Sequence, residues 1–227
     1  MKKLNLLSLA VVVTLVFTSC SSNEGLELAN PSSDLLKSYT LKRDATGAYS
    51  LDFDLNDKTK TDYVKDEKTN TNQIYLYTSD NQETQKVTQD LFIDGELLKV
   101  GFIDTKSNKS SNVTILDTNS SFSRNSDDEM LEEYSITSNF DGTFNLDFKV
   151  DQNVTVDFIY NQEDSAYEIH LEDGASDLRD FSRVLEKEDG KPLKFDFVNH
   201  FSANSSSRSS LLETILKRPR VIIDQID

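Results

Sequence analysis

The chain contains no tryptophan, two histidines, three prolines, seven glycines and one cysteine among its 227 residues. A single cysteine cannot form an intramolecular disulfide, so the core alone has to stabilise the fold. Two histidines and one cysteine are also too few for a zinc site of the usual kind. The sequence has no G-x-S-x-G, P-loop or G-x-G-x-x-G motif. These absences predict a protein without catalytic residues, a bound metal or a cofactor.

Basic side chains are few relative to acidic ones. Lys and Arg number 24, Asp and Glu number 40, and the formal net charge is -16. Binding to phosphates requires concentrated basic residues, so we expect no nucleic acid partner. Carboxylates are abundant enough for a two-acid hydrolase, but such sites usually add aromatic platforms for the sugar. A carboxylate-dependent hydrolase is therefore only the third hypothesis for the function.

The only long apolar run lies at the N-terminus. Met1-Lys2-Lys3 is followed by a mostly apolar stretch over residues 4–17 and then by Thr18-Ser19-Cys20. The stretch is short for a hydrocarbon layer of about 30 Å, and its positive start is typical of a secretory signal. Residues 1–19 are therefore predicted to be a signal peptide that is removed.

The end of this segment, Phe17-Thr18-Ser19-Cys20, resembles the lipobox of bacterial lipoproteins. The resemblance implies cleavage before Cys20 and acylation of its sulfur and of the new amino group. Ser21, where Asp would retain a lipoprotein in the inner membrane, implies the outer membrane. Ser21–Gly25 resembles the surface-export tag of Bacteroidota lipoproteins, which favours the cell surface over the periplasmic face. Residues 20–36 are then a lipidated, flexible tether.

The rest of the chain contains an internal repeat with an offset of about 95 residues. Gly47–Phe53 (GAYSLDF) corresponds to Gly142–Phe148 (GTFNLDF), and Asp94-Gly95 corresponds to Asp189-Gly190. Glycines and aspartates held in one register across most of a copy are improbable as coincidence. We therefore predict two tandem copies, residues 37–118 and 133–227, joined by an acidic, serine-rich linker over 119–132.

Each copy is expected to be mainly β, because apolar and polar residues alternate, as in Tyr49–Leu55 and Phe144–Val150. Gly47 and Gly142 stand where a residue in the left-handed conformation would close a turn, and short turns favour an antiparallel meander or sandwich-like unit. One or two short helices are predicted, over Ser176–Lys187 and more weakly over Gln82–Asp90. Further helical turns are predicted at Ser126–Glu129 and Ser210–Glu213, and a final strand, Val221–Ile223, has no counterpart in copy one. Packing of both copies as one body with pseudo-twofold symmetry is as plausible as two separate beads.

Few residues are candidates for a functional site. Tyr75 and Tyr77 alternate with Ile74 and Leu76, so both tyrosines are expected to face outward and form a contact patch for protein or glycan. Burial of the two rings against other parts of the protein is an equally good interpretation. His170 is interpreted as a solvated surface residue rather than a catalytic base.

The expected function follows from the anchor and the missing catalytic motifs. We expect a non-enzymatic lipoprotein that serves as accessory or scaffold subunit of an outer-membrane or cell-surface protein complex. Its partners would be the membrane, through the lipid on Cys20, and an outer-membrane protein. The alternative is a glycan-binding surface lipoprotein that assists polysaccharide uptake.

Overall fold

The computed structural model describes residues 35–80, 86–117, 130–139, 141–200 and 216–225. These residues form fourteen β-strands and contain no helix, so the predicted mainly β fold is confirmed. The strands are β1 (Leu36–Arg43), β2 (Tyr49–Leu55), β3 (Thr59–Asp66), β4 (Thr71–Thr78), β5 (Lys86–Asp90), β6 (Leu97–Asp104), β7 (Lys109–Leu116), β8 (Leu131–Ser138), β9 (Phe144–Val150), β10 (Val154–Asn161), β11 (Ala166–Asp173), β12 (Asp180–Leu185), β13 (Leu193–Asn199) and β14 (Leu216–Gln225).

The strands form two sheets whose order is symmetric about the middle. The six-stranded sheet has the order β12-β9-β8-β1-β2-β5, and the eight-stranded sheet has the order β10-β11-β13-β14-β7-β6-β4-β3. The first seven strands occupy one side of each sheet and the last seven occupy the corresponding positions on the other side. The two halves meet where β1 pairs with β8 and where β7 pairs with β14. That the halves derive from one duplicated unit stays a prediction.

The position of β14 corrects the interpretation of the last strand. In the symmetric order β14 corresponds to β7, so the expectation that the final strand lacks a counterpart in the first half was wrong. The error arose because the segment before β14 is longer than its equivalent before β7, and this insertion breaks the offset.

Two strand pairs, β4–β6 and β11–β13, are parallel, whereas the short turns favoured antiparallel pairing within each copy. Between β4 and β6 the chain crosses to the other sheet to form β5 and then returns. The same excursion, through β12, separates β11 from β13. Because the chain returns to the same sheet in the same direction, the two flanking strands run parallel.

One apolar core lies between the two sheets and contains residues of both halves. Alternate residues of β2 are buried, as the period-two pattern predicts. Aromatic rings of the two sheets pack on each other. The ring centroids of Tyr39 in the six-stranded sheet and Phe102 in the eight-stranded sheet are 5.0 Å apart, and those of Phe148 and Phe197 are 5.3 Å apart. The halves are therefore packed on a shared core.

The glycines at the β1–β2 and β8–β9 turns have the backbone conformation that the sequence predicts. Gly47 has a φ of 81° and Gly142 a φ of 83°. L-residues with a Cβ are disfavoured in this left-handed region, so glycine lets each pair of strands reverse direction without strain.

The predicted helix over Ser176–Lys187 is wrong, because β12 occupies the middle of that range. β12 pairs with β9 along its length, and the Phe181 ring stacks on Phe148 at 5.1 Å. Phe181 and Leu185 point toward the core while Val184 is exposed, so the pattern is that of a strand. The apolar residues of a short segment fit both the helical and the strand period, and here pairing with β9 makes the segment a strand.

The weaker helix prediction over Gln82–Asp90 is wrong as well, since β5 covers its second half and pairs with β2. Its first residues lie outside the described part of the chain. The helical turns predicted at Ser126–Glu129 and Ser210–Glu213 also lie outside the described residues.

Candidate functional site

Tyr75 and Tyr77 form an aromatic ledge on the outer face of the eight-stranded sheet. Both are half-buried members of β4, whereas Ile74 and Leu76 between and before them are fully in the core. The two rings are stacked, with centroids 6.4 Å apart and planes 25° apart. The alternation of the strand therefore directs both rings outward. We call this pair the tyrosine ledge.

Charged groups flank the ledge on the neighbouring edge strand β3. The Lys60 ammonium lies 5.6 Å from the centre of the Tyr77 ring, and Asp62 lies opposite Tyr75 in the strand register. The Tyr75 hydroxyl donates a hydrogen bond of 2.6 Å to Gln73 Oε1. An aromatic surface with fixed polar groups at its margin suits a protein or a sugar ring, because stacking and hydrogen bonding act together.

The second half of the chain has no ledge at the corresponding place. Its residues on β11 are His170 and Glu172, and Asp157 of β10 lies opposite His170 as Asp62 lies opposite Tyr75. The ledge is therefore a feature of the first half only.

A polar groove of about 500 Å³ crosses the outer face of the six-stranded sheet over β1, β8, β9 and β12. Hydroxyl, carboxylate and ammonium groups project into it and can bind hydroxyls of a ligand, and Tyr134, Phe148 and Phe181 also line it. The polar side chains that project from this face are Lys42, Ser50, Glu133, Ser135, Asp147, Lys149, Asp180 and Ser182.

Asp52 and Asp147 occupy corresponding positions on this face, but their surroundings differ. Asp52 pairs with the Lys42 ammonium and accepts a hydrogen bond of 2.8 Å from the Thr88 hydroxyl. The hydrogen bond from Lys42, followed by that from Thr88, lowers the pKa of Asp52. Asp147 lies in the groove, opposite Ser135 and Ser182 in register. Asp52 is thus tied into the sheet, and Asp147 lines a surface that a ligand can reach.

A buried polar cluster, which the sequence did not indicate, ties the two sheets together. Arg43 at the end of β1 donates a 3.0 Å hydrogen bond from Nε to Asp117, which directly follows β7. The Tyr49 hydroxyl donates to the same carboxylate oxygen at 2.5 Å and lies 3.1 Å from the Tyr134 hydroxyl. Burial raises the pKa of both tyrosines well above the ordinary value. The Arg43 and Asp117 side chains are buried, so this cluster joins the two sheets inside the protein.

The two histidines lie together, which their separation in sequence did not predict. His170 is on the outer face as expected, but it is mostly covered and contacts both Glu168 and His200. Within the described part of the chain, no group of three or more His, Cys, Asp and Glu side chains is arranged to hold a metal ion.

Cys20, the predicted lipidation site, lies outside the described residues, as do Asp127 to Glu129 of the acidic linker. Over the residues that are described, no helix is long and apolar enough to cross a membrane.

No family model, no curated protein and no solved structure matches the chain.

Proposed function

We propose that this chain is a lipid-anchored, non-enzymatic binding protein of a bacterial outer membrane, exposed at the cell surface, where it serves as accessory or scaffold subunit of a membrane protein complex. The tyrosine ledge is the observation that carries the proposal. Two outward tyrosines stacked on each other present a large contact area at little cost in side-chain entropy. The lipobox-like Phe17-Thr18-Ser19-Cys20 supports the anchor.

The anchor and the ledge have separate roles in this proposal. Each acyl CH₂ buried in the membrane contributes about 0.8 kcal/mol, and two or more chains suffice for stable attachment. The lipid therefore confines the protein to the membrane, and the ledge selects a partner that lies there. The net charge of -16 keeps an acidic domain soluble beside a membrane surface.

The ledge is tested by replacing both tyrosines with alanine in the lipidated full chain. Tyr75→Ala/Tyr77→Ala should reduce co-purification of a membrane protein partner in mild detergent by at least about tenfold, the loss typical of a hot-spot pair. The matched control is Tyr160→Ala/Tyr167→Ala, which removes a second tyrosine pair whose ring centroids lie 4.9 Å apart elsewhere on the domain. Equal co-purification of both variants and wild type would exclude the ledge as the docking site.

The anchor is tested with Cys20→Ala, with Ser21→Ala as the control. Cys20→Ala should move the protein from the membrane fraction to the soluble fraction and abolish lipid labelling. Ser21→Ala should remain lipidated and membrane-bound. A Cys20→Ala protein that is still processed and still fully membrane-bound would overturn the anchor.

The polar groove favours a second candidate, a glycan-binding protein that assists polysaccharide uptake. Asp147 and Lys149 offer an acceptor and a donor in one open surface. Asp147→Asn/Lys149→Gln should abolish retardation of the full chain in a polysaccharide-containing native gel. Asp54→Asn/Lys86→Gln, a pair 3.7 Å apart that does not line the groove, serves as the control. Unchanged retardation of the groove variant would exclude this site.

A further inference from the structure

The chain's only two histidines meet on the outer face of the eight-stranded sheet, together with a carboxylate. Glu168 and His170 belong to β11, and His200 directly follows β13, the parallel neighbour of β11. The His170 Nε2 lies 3.1 Å from Glu168 Oε2, and these two side chains are only 15% and 10% exposed. The His170 Nδ1 is in hydrogen-bond contact with His200 Nε2. The three groups therefore form one row: carboxylate, imidazole, imidazole.

The geometry of the row determines which nitrogens carry protons. A carboxylate can only accept, so His170 donates from Nε2–H to Glu168. A neutral His170 then has an unprotonated Nδ1, and His200 donates to it from Nε2–H. The ring planes are 17° apart with centroids at 4.7 Å, and the contact runs from nitrogen to nitrogen. Such a contact has room for one proton between the rings.

Counting protons shows that the row responds to pH in two steps. One added proton is accommodated, because it binds to the outer nitrogen of His200, Nδ1, while the single proton between the rings stays shared by His170 Nδ1 and His200 Nε2. A second added proton leaves an N–H on both facing nitrogens and a positive charge on both rings. Neither ring can then accept, and like charges repel, so the contact between His170 and His200 has to break.

Most of the charged neighbours of the row are acidic. On β10, Asp157 lies opposite His170, and Asn161 donates a 3.0 Å hydrogen bond to Glu168 Oε1. β11 itself adds Glu172, and β13 adds Asp196, which pairs with Glu168 in register.

β14 brings a basic residue opposite β13, since Arg220 pairs with Asp196 in the strand register. The Arg220 guanidinium donates to both oxygens of Asp196 at 2.7 and 3.1 Å. Asp164, in the turn between β10 and β11, adds a further negative charge that acts on Arg220. Lys217 lies opposite Val198 in the backbone register. The charged groups named around the row are thus mainly carboxylates, and the repulsion that arises on double protonation is between the two rings themselves.

We propose that Glu168, His170 and His200 form a pH switch that holds the end of β13 on β11 at neutral pH and releases it when both histidines are protonated. The backbone shows what is released. The His200 amide donates a 3.0 Å hydrogen bond to the Leu171 carbonyl, which extends the β11–β13 pairing by one residue. Histidine is the side chain whose charge changes between about pH 5 and 8, so release falls in a mildly acidic range. The switch does not depend on the proposed function.

Amide hydrogen exchange of the full chain tests the release. After correction for the chemical exchange rate, protection of residues 198–200 at the end of β13 should fall about tenfold or more between about pH 7 and about pH 5. His200→Gln should keep the neutral-pH protection in acid, because the glutamine amide stays neutral and can donate to His170 Nδ1 at neutral pH or accept from its N–H in acid. Equal losses in wild type and His200→Gln would overturn the switch.

Nuclear magnetic resonance of the histidine rings provides a second readout that needs no variant. The row predicts that the two rings titrate together in two separated steps, with His170 Nδ1 showing the signal of an acceptor nitrogen at neutral pH. Two rings that each titrate in a single, independent step would overturn the proposal, even if a variant failed to fold.

Discussion

Replacing Asp117 with asparagine should destabilise the protein strongly. The side chains of Arg43 and Asp117 are 1% and 0% exposed, so neither charge can be solvated by water once its partner is neutral. Breaking a buried ion pair by removing one charge typically costs about 3 to 5 kcal/mol. For a chain of this size that corresponds to a fall of about 6 to 20 °C in melting temperature.

The neighbouring pair Lys42–Asp52 is a control on the same strand. Lys42 precedes Arg43 but faces the opposite side of β1, and the side chains of Lys42 and Asp52 are 48% and 37% exposed. Because water screens both charges, Asp52→Asn should cost about 0.2 to 1 kcal/mol. The two substitutions have the same chemistry, so the difference between them measures burial.

Urea unfolding followed by circular dichroism would give both free energies of unfolding, and a double-mutant cycle would isolate the pair. Arg43→Met/Asp117→Asn should cost less than the sum of the two single variants, since the double variant leaves no buried charge unpaired. An Asp117→Asn cost below about 1 kcal/mol, or strictly additive single effects, would refute the reasoning from burial.

Two further predictions concern tyrosine ionisation and a turn. Burial raises the pKa of Tyr39, Tyr49 and Tyr134. Above about pH 10 these tyrosines therefore ionise only in the unfolded chain. The free energy of unfolding should be constant below that pH and fall above it by about 1.4 kcal/mol per pH unit for each tyrosine. The near-ultraviolet absorbance of tyrosinate, free of tryptophan background, should show three of the eight tyrosines ionising only with unfolding; ionisation of all eight in the folded protein would contradict this. Gly142→Ala should lower the free energy of unfolding in urea by about 1 to 2 kcal/mol, because Gly142 has a φ of 83°. Gly142→Asn should lower it by less. Equal losses in the two variants would point to a cause other than the backbone angle φ.

The sequence predicted those parts of the fold that depend on local alternation. Tyr49–Leu55 and Phe144–Val150 read as half-buried strands because every second residue is apolar, and the structure has strands with those bounds. Gly47 and Gly142 predicted turns because only glycine readily adopts a positive φ. The strand over Asp180–Leu185 was missed because six residues fit a helical spacing equally well.

The candidate sites show the same limit. The outward direction of Tyr75 and Tyr77 follows from alternation within one strand, so the sequence could predict it. The contact of His170 with His200 depends on the parallel pairing of β11 with β13, and Arg43 meets Asp117 across 74 residues. No local pattern encodes either contact. The one available signal was the rarity of histidine, because two copies of a scarce residue, one within a strand and one just after another, merit a test for proximity.

The central position of β14 has a consequence for how the chain acquires its structure. Residues 216–225 pair on one side with β7 and on the other with β13, so the eight-stranded sheet has a gap in its middle until they arrive. Until β14 has been synthesised, β7 and β13 would each have an unpaired edge, and such edges are prone to pair with other chains. Closing the gap joins segments more than a hundred residues apart, which makes folding slow. Nascent chains that stop short of residue 216 should therefore need a chaperone to stay soluble.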